Sequence, residues 1–153
     1  MTIFDDLNTA MNDYPETSID LEIINVEFPG NALNVDDEGS FDLQVTNRGP
    51  LVLSDVLFKF VGKRGTLVRG TGAAQQFASE NLFGLTTVIP GHNSANPYLI
   101  AGLFKVTRAT TDVKDLFDVT VAEYNASLDH ILIDHSDPSE LPVATFSAEV
   151  VAV

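Results

Sequence analysis

The chain has no cysteine and no tryptophan among its 153 residues. Without cysteine, neither a disulfide nor a thiolate metal site can form. No stretch approaches the roughly 20 consecutive apolar residues that a transmembrane helix needs. The opening stretch, MTIFDDLNTAMNDYPE, also lacks the basic start and apolar centre of a signal peptide. We therefore expect a protein without a membrane partner that is made in a cytoplasm and not exported by that route.

Positive charge is also scarce. The chain has 8 Lys and Arg against 22 Asp and Glu, which gives a net charge of -14 at pH 7. An acidic surface repels nucleic acid and anionic lipid, so neither is expected as a partner. The same surface favours solubility and attraction to basic partners. Four of the eight cations fall between residues 59 and 69, which makes that segment unusual in this chain.

Apolar residues alternate with polar ones along most of the chain, which predicts β-strands. The residues expected on one face of each strand are Ile19, Leu21 and Ile23; Phe41, Leu43 and Val45; Val56, Phe58 and Phe60; Phe117, Val119 and Val121; and Ala144, Phe146, Ala148, Val150 and Ala152. The doubled Ile23-Ile24 shifts the alternation by one residue, as a β-bulge would.

Helical spacing occurs in two short segments. Residues 2–13 fit one face of a short helix that Pro15 would end, and residues 73–84 fit one helical turn. Alternation elsewhere indicates antiparallel sheets. The sequence therefore predicts one all-β domain, an immunoglobulin-like antiparallel β-sandwich over residues 18–153, with an N-terminal helix or arm over residues 1–17.

One corner of the sequence is similar to a known family. Residues 41–60, FDLQVTNRGPLVLSDVLFKF, resemble the strand–corner–strand signature of CARDB-like, cell-adhesion-related immunoglobulin-like modules of bacteria. The V-x-N-x-G of that signature falls on Val45, Asn47 and Gly49. The Pro-Gly pair at 90–91 is similar to the turn that precedes a later strand of those modules.

The resemblance covers about residues 18–107 and implies a non-enzymatic interaction module. Two parts of the chain depart from it. Residues 62–84 are longer than a hairpin needs, and residues 108–153 add strands that the simple module lacks.

Residues 62–72, GKRGTLVRGTG, are basic and rich in glycine. The phosphate-binding order G-x-x-x-x-G-K-[ST] is absent. Gly70 and Gly72 fit half of a dinucleotide-binding fingerprint, but Gln75 stands at the third glycine position and no βαβ unit follows. We therefore expect these glycines to serve turns rather than to bind a nucleotide.

The same segment is a candidate assembly contact. We expect Gly62 to Gly65 to form a hairpin tip that carries Lys63 and Arg64. Exposed cations gain little from ion pairs on their own surface, and more from an acidic surface on a neighbouring copy. Lys63, Arg64 and Arg69 are therefore predicted to contact a partner.

Acidic residues offer a candidate calcium site. In DHSDPSE, Asp134, Asp137 and Glu140 could gather around calcium, which takes about six to eight oxygen ligands. A second acidic turn runs from Asp36 to Gly39. Neither turn matches an EF-hand loop. No other cofactor is expected.

Catalytic patterns are sparse. His92 and Ser94 share a loop but do not form the G-x-S-x-G turn of a nucleophilic serine. Three histidines and no cysteine leave few nucleophile–base pairs. The three tyrosines are scattered, which argues against a platform of rings for stacking sugars. An enzyme is therefore not expected.

These exclusions favour a structural protein that associates with itself and with a larger assembly. The most concrete form of this prediction is a virion component, such as a capsid decoration (cement) protein or a tail protein, found in the virion or in the cytoplasm of the producing cell. The alternative is an adhesin-like, carbohydrate-dependent or calcium-dependent binding module. A small hydrolase is the third interpretation.

Overall fold

The computed structural model describes residues 19–49, 52–72, 75–128, 131–135 and 143–152, with side chains described for all of these except 125–128 and 131–135. The predicted N-terminal helix or arm lies outside the described residues. Within them the chain forms strands and no helix. The strands are β1 (Ile19–Glu27), β2 (Leu33–Asn34), β3 (Glu38–Asn47), β4 (Val52–Gly62), β5 (Leu67–Gly70), β6 (Glu80–Gly84), β7 (Tyr98–Lys105), β8 (Lys114–Leu128), β9 (Ile131–His135), β10 (Val143–Ala148) and β11 (Val150–Val151).

Two antiparallel sheets pack face to face. The first has the order β1-β3-β7-β5, and the second has the order β10-β8-β4-β6 with β9 also paired to β8. Aromatic rings join the two sheets: the Phe41 ring of β3 lies 4.8 Å from the Phe117 ring of β8, and Phe104 of β7 lies 5.4 Å from Phe117. The predicted all-β antiparallel sandwich is therefore confirmed.

The predicted alternation places the core between the sheets. The expected inward residues of β3, β4 and β8 are all buried: Phe41, Leu43, Val45, Val56, Phe58, Phe60, Phe117, Val119 and Val121. Complete burial of one such side chain stabilises the fold by about 1.5–3 kcal/mol. Period-two patterning in these strands is thus sufficient to direct one face of each sheet inward.

The predicted bulge in β1 is present, one residue further along the chain. The register between β1 and β3 shifts between Ile24 and Glu27. Asn25 has a φ of 53°, a left-handed conformation that asparagine tolerates better than most residues. Its side-chain amide donates a hydrogen bond to Asp42 Oδ2 at 2.9 Å, which holds the bulge against β3.

The predicted helical turn within residues 73–84 is wrong for the described part of that segment. Glu80–Gly84 is strand β6, paired antiparallel with Leu57–Val61 of β4. Phe83 stacks against Phe60 with ring centroids 6.3 Å apart and an interplanar angle of 10°. Strand pairing and this ring contact outweigh the weak local helix preference.

The last predicted strand is interrupted. β10 ends at Ala148, and after Glu149 the chain forms β11, which pairs in parallel with β2. Val150 is buried there, as the alternation predicts, whereas Ala152 is exposed. This short parallel pair ties the end of the sandwich to the segment that follows β1.

Candidate functional site

The basic segment forms a tight turn that carries the chain from one sheet to the other. Arg64 and Gly65 both have positive φ, 53° and 76°, and the Thr66 amide donates to the Lys63 carbonyl at 2.9 Å. The two strands that flank the turn belong to different sheets, since β4 pairs with β6 and β8 while β5 pairs with β7. The expected turn is therefore present, but the expected hairpin is wrong.

Lys63 and Arg64 dock this turn onto the start of β8. Lys63 Nζ lies 2.9 Å from Asp118 Oδ2, and its backbone amide donates to the Leu116 carbonyl at 2.8 Å. The Arg64 guanidinium donates to the Asp115 carbonyl at 2.7 Å. Both predicted contact residues thus have partners within their own chain.

A cationic cleft opens beside the turn. Arg64, Arg108 and Lys114, together with Ala109, Thr110 and Thr111, line an open cleft of about 340 Å³. Arg108 and Lys114 are exposed, and neither forms an ion pair with any residue that the structure describes. The cleft therefore holds positive charge that the monomer leaves available.

The loop between β7 and β8 builds the other wall of the cationic cleft. The Thr107 hydroxyl donates to the Gly65 carbonyl at 2.5 Å. The Thr110 amide donates to the Val150 carbonyl at 2.9 Å, and the Val150 amide donates to Thr110 Oγ1 at 3.0 Å. These bonds hold the loop between the turn and β11, so the wall of the cleft is fixed by the hydrogen bonds of the fold.

Arg69 does not line the cationic cleft. It lies on β5, where its guanidinium sits 5.1 Å from the centroid of the Phe77 ring and donates to the Gly70 carbonyl at 3.2 Å. The structure thus brings two of the three predicted contact residues to one site and leaves Arg69 elsewhere. Sequence reasoning did not single out Arg108 and Lys114. The sequence did contain a signal for them: in a chain with few cations, Arg108 and Lys114 lie near the two ends of the loop that joins β7 to β8.

An acidic rim lies on the same end of the sandwich. We define it as Glu27, Asp36 and Glu38, all exposed and without ion pairs among the described residues. Glu27 and Glu38 line an open acidic cleft of about 430 Å³ whose other walls include Phe28 and Leu103.

The backbone places the acidic rim next to the cationic cleft. The Asp36 amide donates to the Val106 carbonyl at 2.8 Å, two residues before Arg108. Glu38 is the register partner of Lys105, the last residue of β7. We call the acidic rim and the cationic cleft together the charged end.

The predicted calcium residues are only partly within the described chain. Asp134 lies in β9 as the register partner of Asn125, whereas Asp137 and Glu140 lie outside the described residues. In the second acidic turn, Asp37 Oδ2 accepts a hydrogen bond from the Asn34 amide at 2.8 Å. The described residues contain no group of three His, Asp or Glu able to hold a metal ion.

In the partial dinucleotide-binding motif at Gly70 and Gly72, a side chain occupies the backbone donor. The Gly70 amide donates to Gln75 Oε1 at 3.2 Å, and the Gln75 amide group donates to the Leu82 carbonyl at 3.2 Å. Gln75 therefore takes the backbone donor that a bound phosphate would need.

The corner that carries the family resemblance has a clear structural role. Asn47 is fully buried, and its side-chain amide donates to the Pro90 carbonyl at 3.1 Å. The Asn47 amide donates to Asn93 Oδ1 at 2.6 Å, and the Asn93 amide donates back to the Asn47 carbonyl at 3.0 Å. The two sequence features that carry the resemblance, at 47 and at 90–91, thus meet at one polar cluster whose two asparagines are buried.

The loop that holds Asn93 also contains His92 and Ser94. Both are exposed on either side of the buried Asn93. The His92 amide donates to the Gly49 carbonyl at 3.0 Å, which ties the loop to the corner after β3. No hydrogen bond joins the His92 and Ser94 side chains in this described loop, so the pair shows no nucleophile–base geometry.

No helix long and apolar enough to cross a bilayer occurs in the part of the chain that the structure describes. Neither a protein-family model nor a curated protein matches the chain. Among solved structures, Spo0M, a sporulation control protein from Bacillus subtilis, is similar with 11% identity and a TM-score of 0.35, over 88% of this chain and 49% of that chain. The chain spans about half the length of that protein.

Proposed function

We propose that this chain is a structural protein that associates with copies of itself and with a larger protein assembly through its charged end. The observation that carries the proposal is the position of its positive charge. In a chain of net charge -14, Lys63, Arg64, Arg108 and Lys114 meet at one end of the sandwich. Two of them, Arg108 and Lys114, have no ion pair among the described residues.

Charge complementarity supplies the physical reason. A basic patch on an otherwise acidic surface is attracted to acidic surfaces and selects the orientation in which they meet. Ion pairs on an exposed surface add little to the stability of one molecule, about 0–1 kcal/mol each. The unpaired cations therefore have more effect between molecules than within this one.

The proposal extends to a virion component, such as a capsid decoration protein or a tail protein, in the virion or in the cytoplasm of the producing cell. A rigid, aromatic sandwich without cysteine suits a subunit whose role is to stay folded and present a surface. Capsid and portal genes beside the gene for this chain would support that form of the proposal, whereas genes for surface anchors would contradict it.

The test compares two pairs of charge-removing variants by size-exclusion chromatography with light scattering. Arg108→Gln with Lys114→Gln removes the two unpaired cations of the cationic cleft. Arg48→Gln with Lys59→Gln removes two cations that pair with Asp20 and Glu80 elsewhere on the surface. Lys63 is left in place because it pairs with Asp118.

We expect wild-type protein and the Arg48/Lys59 control to exceed the 16.5 kDa of one chain, and the Arg108/Lys114 variant to dissociate at least tenfold more readily. Wild-type protein that stays at the mass of one chain at every concentration would contradict self-association.

The resemblance to CARDB-like modules supports a second candidate, an adhesin-like binding module that depends on calcium or carbohydrate. Asp134 of β9 lies directly before the stretch with Asp137 and Glu140. A ligand that binds only the folded state raises the melting temperature by mass action. A rise with calcium that EDTA reverses, and that Asp134→Asn abolishes, would favour this candidate over the first.

A further inference from the structure

The charged end has exposed or half-buried apolar residues beside both the cationic cleft and the acidic rim. Val113, the last residue of the loop between β7 and β8 and the neighbour of Lys114 in the cationic cleft, is 61% exposed, the largest exposure among the large hydrophobic residues that the structure describes. On the other half, Phe28 and Leu103 are half-buried walls of the acidic cleft between Glu27 and Glu38. One half thus presents a small apolar projection beside the cationic cleft, and the other presents an apolar recess beside Glu27 and Glu38.

We infer that two copies of this chain pair end to end about a two-fold axis, with Val113 of each copy seated between Phe28 and Leu103 of the other. This inference rests on the proposed function, because it names the partner and the contact for that same end. Arg108 and Lys114 of one copy then face Glu27 and Glu38 of the other. A two-fold axis makes every such contact twice, as an isologous interface requires.

The arrangement of charge favours this geometry over a chain of head-to-tail copies. Opposite charges lie side by side on the same end, joined by the Asp36–Val106 hydrogen bond. Turning one copy by half a revolution against another therefore places acid opposite cation on both sides at once. A head-to-tail contact would need the two signs on different ends, and would build open chains or rings.

The acids nearest the cationic cleft do not neutralise it by direct pairing. Asp112 Oδ1 accepts a hydrogen bond from the Val113 amide at 3.2 Å, and Asp115 Oδ1 accepts one from the Ser147 hydroxyl at 2.6 Å. Neither forms an ion pair with Arg108 or Lys114 among the described residues. The two cations are thus left for carboxylates that come from a partner.

The apolar contact of Val113 stabilises the inferred dimer at salt concentrations that screen the surface charges. Exposed ion pairs weaken with salt, whereas burial of an aliphatic side chain against an aromatic ring is not screened by salt. Interfaces commonly place such an apolar centre inside a polar rim. In the inferred dimer, Val113 of one copy with Phe28 and Leu103 of the other forms such an apolar contact, and the charged residues form the rim.

The first experiment removes the apolar projection. Sedimentation equilibrium of Val113→Ser is compared with Val88→Ser, which changes an equally simple exposed valine, 51% exposed, in the loop after β6. We expect wild-type protein to reach a plateau at twice the 16.5 kDa of one chain, Val113→Ser to dissociate at least tenfold more readily, and Val88→Ser to match wild type. Dissociation of Val113→Ser at the wild-type concentration would overturn the inference.

The second experiment exchanges the charges. Arg108→Glu with Lys114→Glu reverses the charge of the two unpaired cations of the cationic cleft, and Glu27→Lys with Glu38→Lys reverses the charge of the two acids that line the acidic cleft. Each variant alone should be a folded monomer by circular dichroism and sedimentation, and their equimolar mixture should recover a dimer of one chain of each. A mixture that stays monomeric while wild-type protein dimerises would overturn the end-to-end contact and leave the assembly proposal standing. Monomeric wild-type protein would overturn both.

Discussion

At the scale of single residues, the buried Asn47–Asn93 cluster shows why the corner after β3 needs asparagine. The Asn47 side chain donates to the Pro90 carbonyl, and the Asn93 side chain supplies the acceptor for the Asn47 amide and donates to the Val45 carbonyl at 3.3 Å. A buried backbone group that loses its partner costs about 1–3 kcal/mol. The cluster therefore stabilises a connection that has no ladder of its own.

Asn47→Ala should lower the free energy of unfolding by about 0.5–1.5 kcal/mol, the usual net value of one hydrogen bond, because it removes the part-buried bond to the Pro90 carbonyl. Urea unfolding followed by circular dichroism measures the change. Asn96→Ala is the matched control, since Asn96 is exposed in the loop that holds Asn93 and its side chain takes no part in the cluster. An Asn47→Ala midpoint equal to that of Asn96→Ala would show that the cluster contributes little.

Gly102 is the second position where one residue decides the packing. It is the register partner of Phe41, and a Cβ built on Gly102 would lie 2.7 Å from Phe41 Cε1. The Phe41 ring thus lies over the glycine, and it also packs against Phe117.

Gly102→Ala should destabilise the fold by about 1–3 kcal/mol, the usual cost of overpacking a core. Gly84→Ala is a control in another strand, because a Cβ there would meet only Leu57 Cδ1 at 3.9 Å. Thermal unfolding is measured for Gly102→Ala, for the control Gly84→Ala, for Phe41→Leu, and for the double variant that combines Gly102→Ala with Phe41→Leu. If the clash is the cause, the double variant should lose less stability than the two single changes added together.

At the scale of elements, the turn between β4 and β5 joins the two sheets and orients the cationic cleft. Gly65 has a φ of 76°, and a Cβ there would lie 2.6 Å from Thr107 Oγ1. The hydroxyl of Thr107 donates to the Gly65 carbonyl, so the same clash would disturb the loop that carries Arg108.

Gly65→Ala should therefore lower the melting temperature by several degrees, about 2–4 °C for each kcal/mol lost in a domain of roughly 150–250 residues. Gly72→Ala is the control, since its Cβ would meet only Gln75 Cγ at 3.7 Å and its φ is not positive. Differential scanning calorimetry compares the two. Equal melting temperatures would contradict the account of this turn.

The strands themselves were largely predictable from the sequence. Alternation in β3, β4 and β8 selected the buried residues, because each of these strands has one face toward the core. The bulge was placed one residue early, since the doubled isoleucine marks a change of phase but not the residue that takes the left-handed conformation. That residue is Asn25.

Other features depend on long-range pairing and were not predictable. Residues 80–84 form a strand because β4 lies beside them, and local spacing carries no information about that neighbour. The turn at Arg64 and Gly65 was recognisable, but its change of sheet was not, because turn chemistry is the same in both cases. The cationic cleft needed the loop between β7 and β8 to fold against that turn.

At the scale of the whole molecule, the outer edge of β5 is covered and the charged end is open. The Val68 amide donates to the Ala78 carbonyl at 2.8 Å, and the Gly62 amide donates to the Ser79 carbonyl at 2.7 Å. The first bond covers the outer edge of β5, the last strand of its sheet, and the second continues the pairing of β4 with β6 by one residue. Exposed strand edges invite pairing with other chains, so this cover removes one edge for such pairing, and side-chain surfaces such as the charged end stay open to a partner.

Net charge sets the conditions under which that association is visible. Copies of net charge -14 repel one another at long range, while the charged end attracts at short range. Raising ionic strength from about 0.01 M to about 1 M shortens the Debye length from about 30 Å to about 3 Å. Salt screens both the repulsion and the attraction between charges, but it does not screen the apolar contact of Val113. A series of salt concentrations therefore distinguishes the contribution of the charges to dimer stability from that of Val113.

The most direct test of the account is sedimentation equilibrium of wild-type protein and of the Arg108→Gln, Lys114→Gln variant across that salt series. We predict that wild-type protein approaches twice the 16.5 kDa of one chain at intermediate salt and that the variant stays nearer one chain. We also predict that the difference between them narrows as salt rises. Identical masses for the two proteins at every salt concentration would contradict a role for the charged end in assembly.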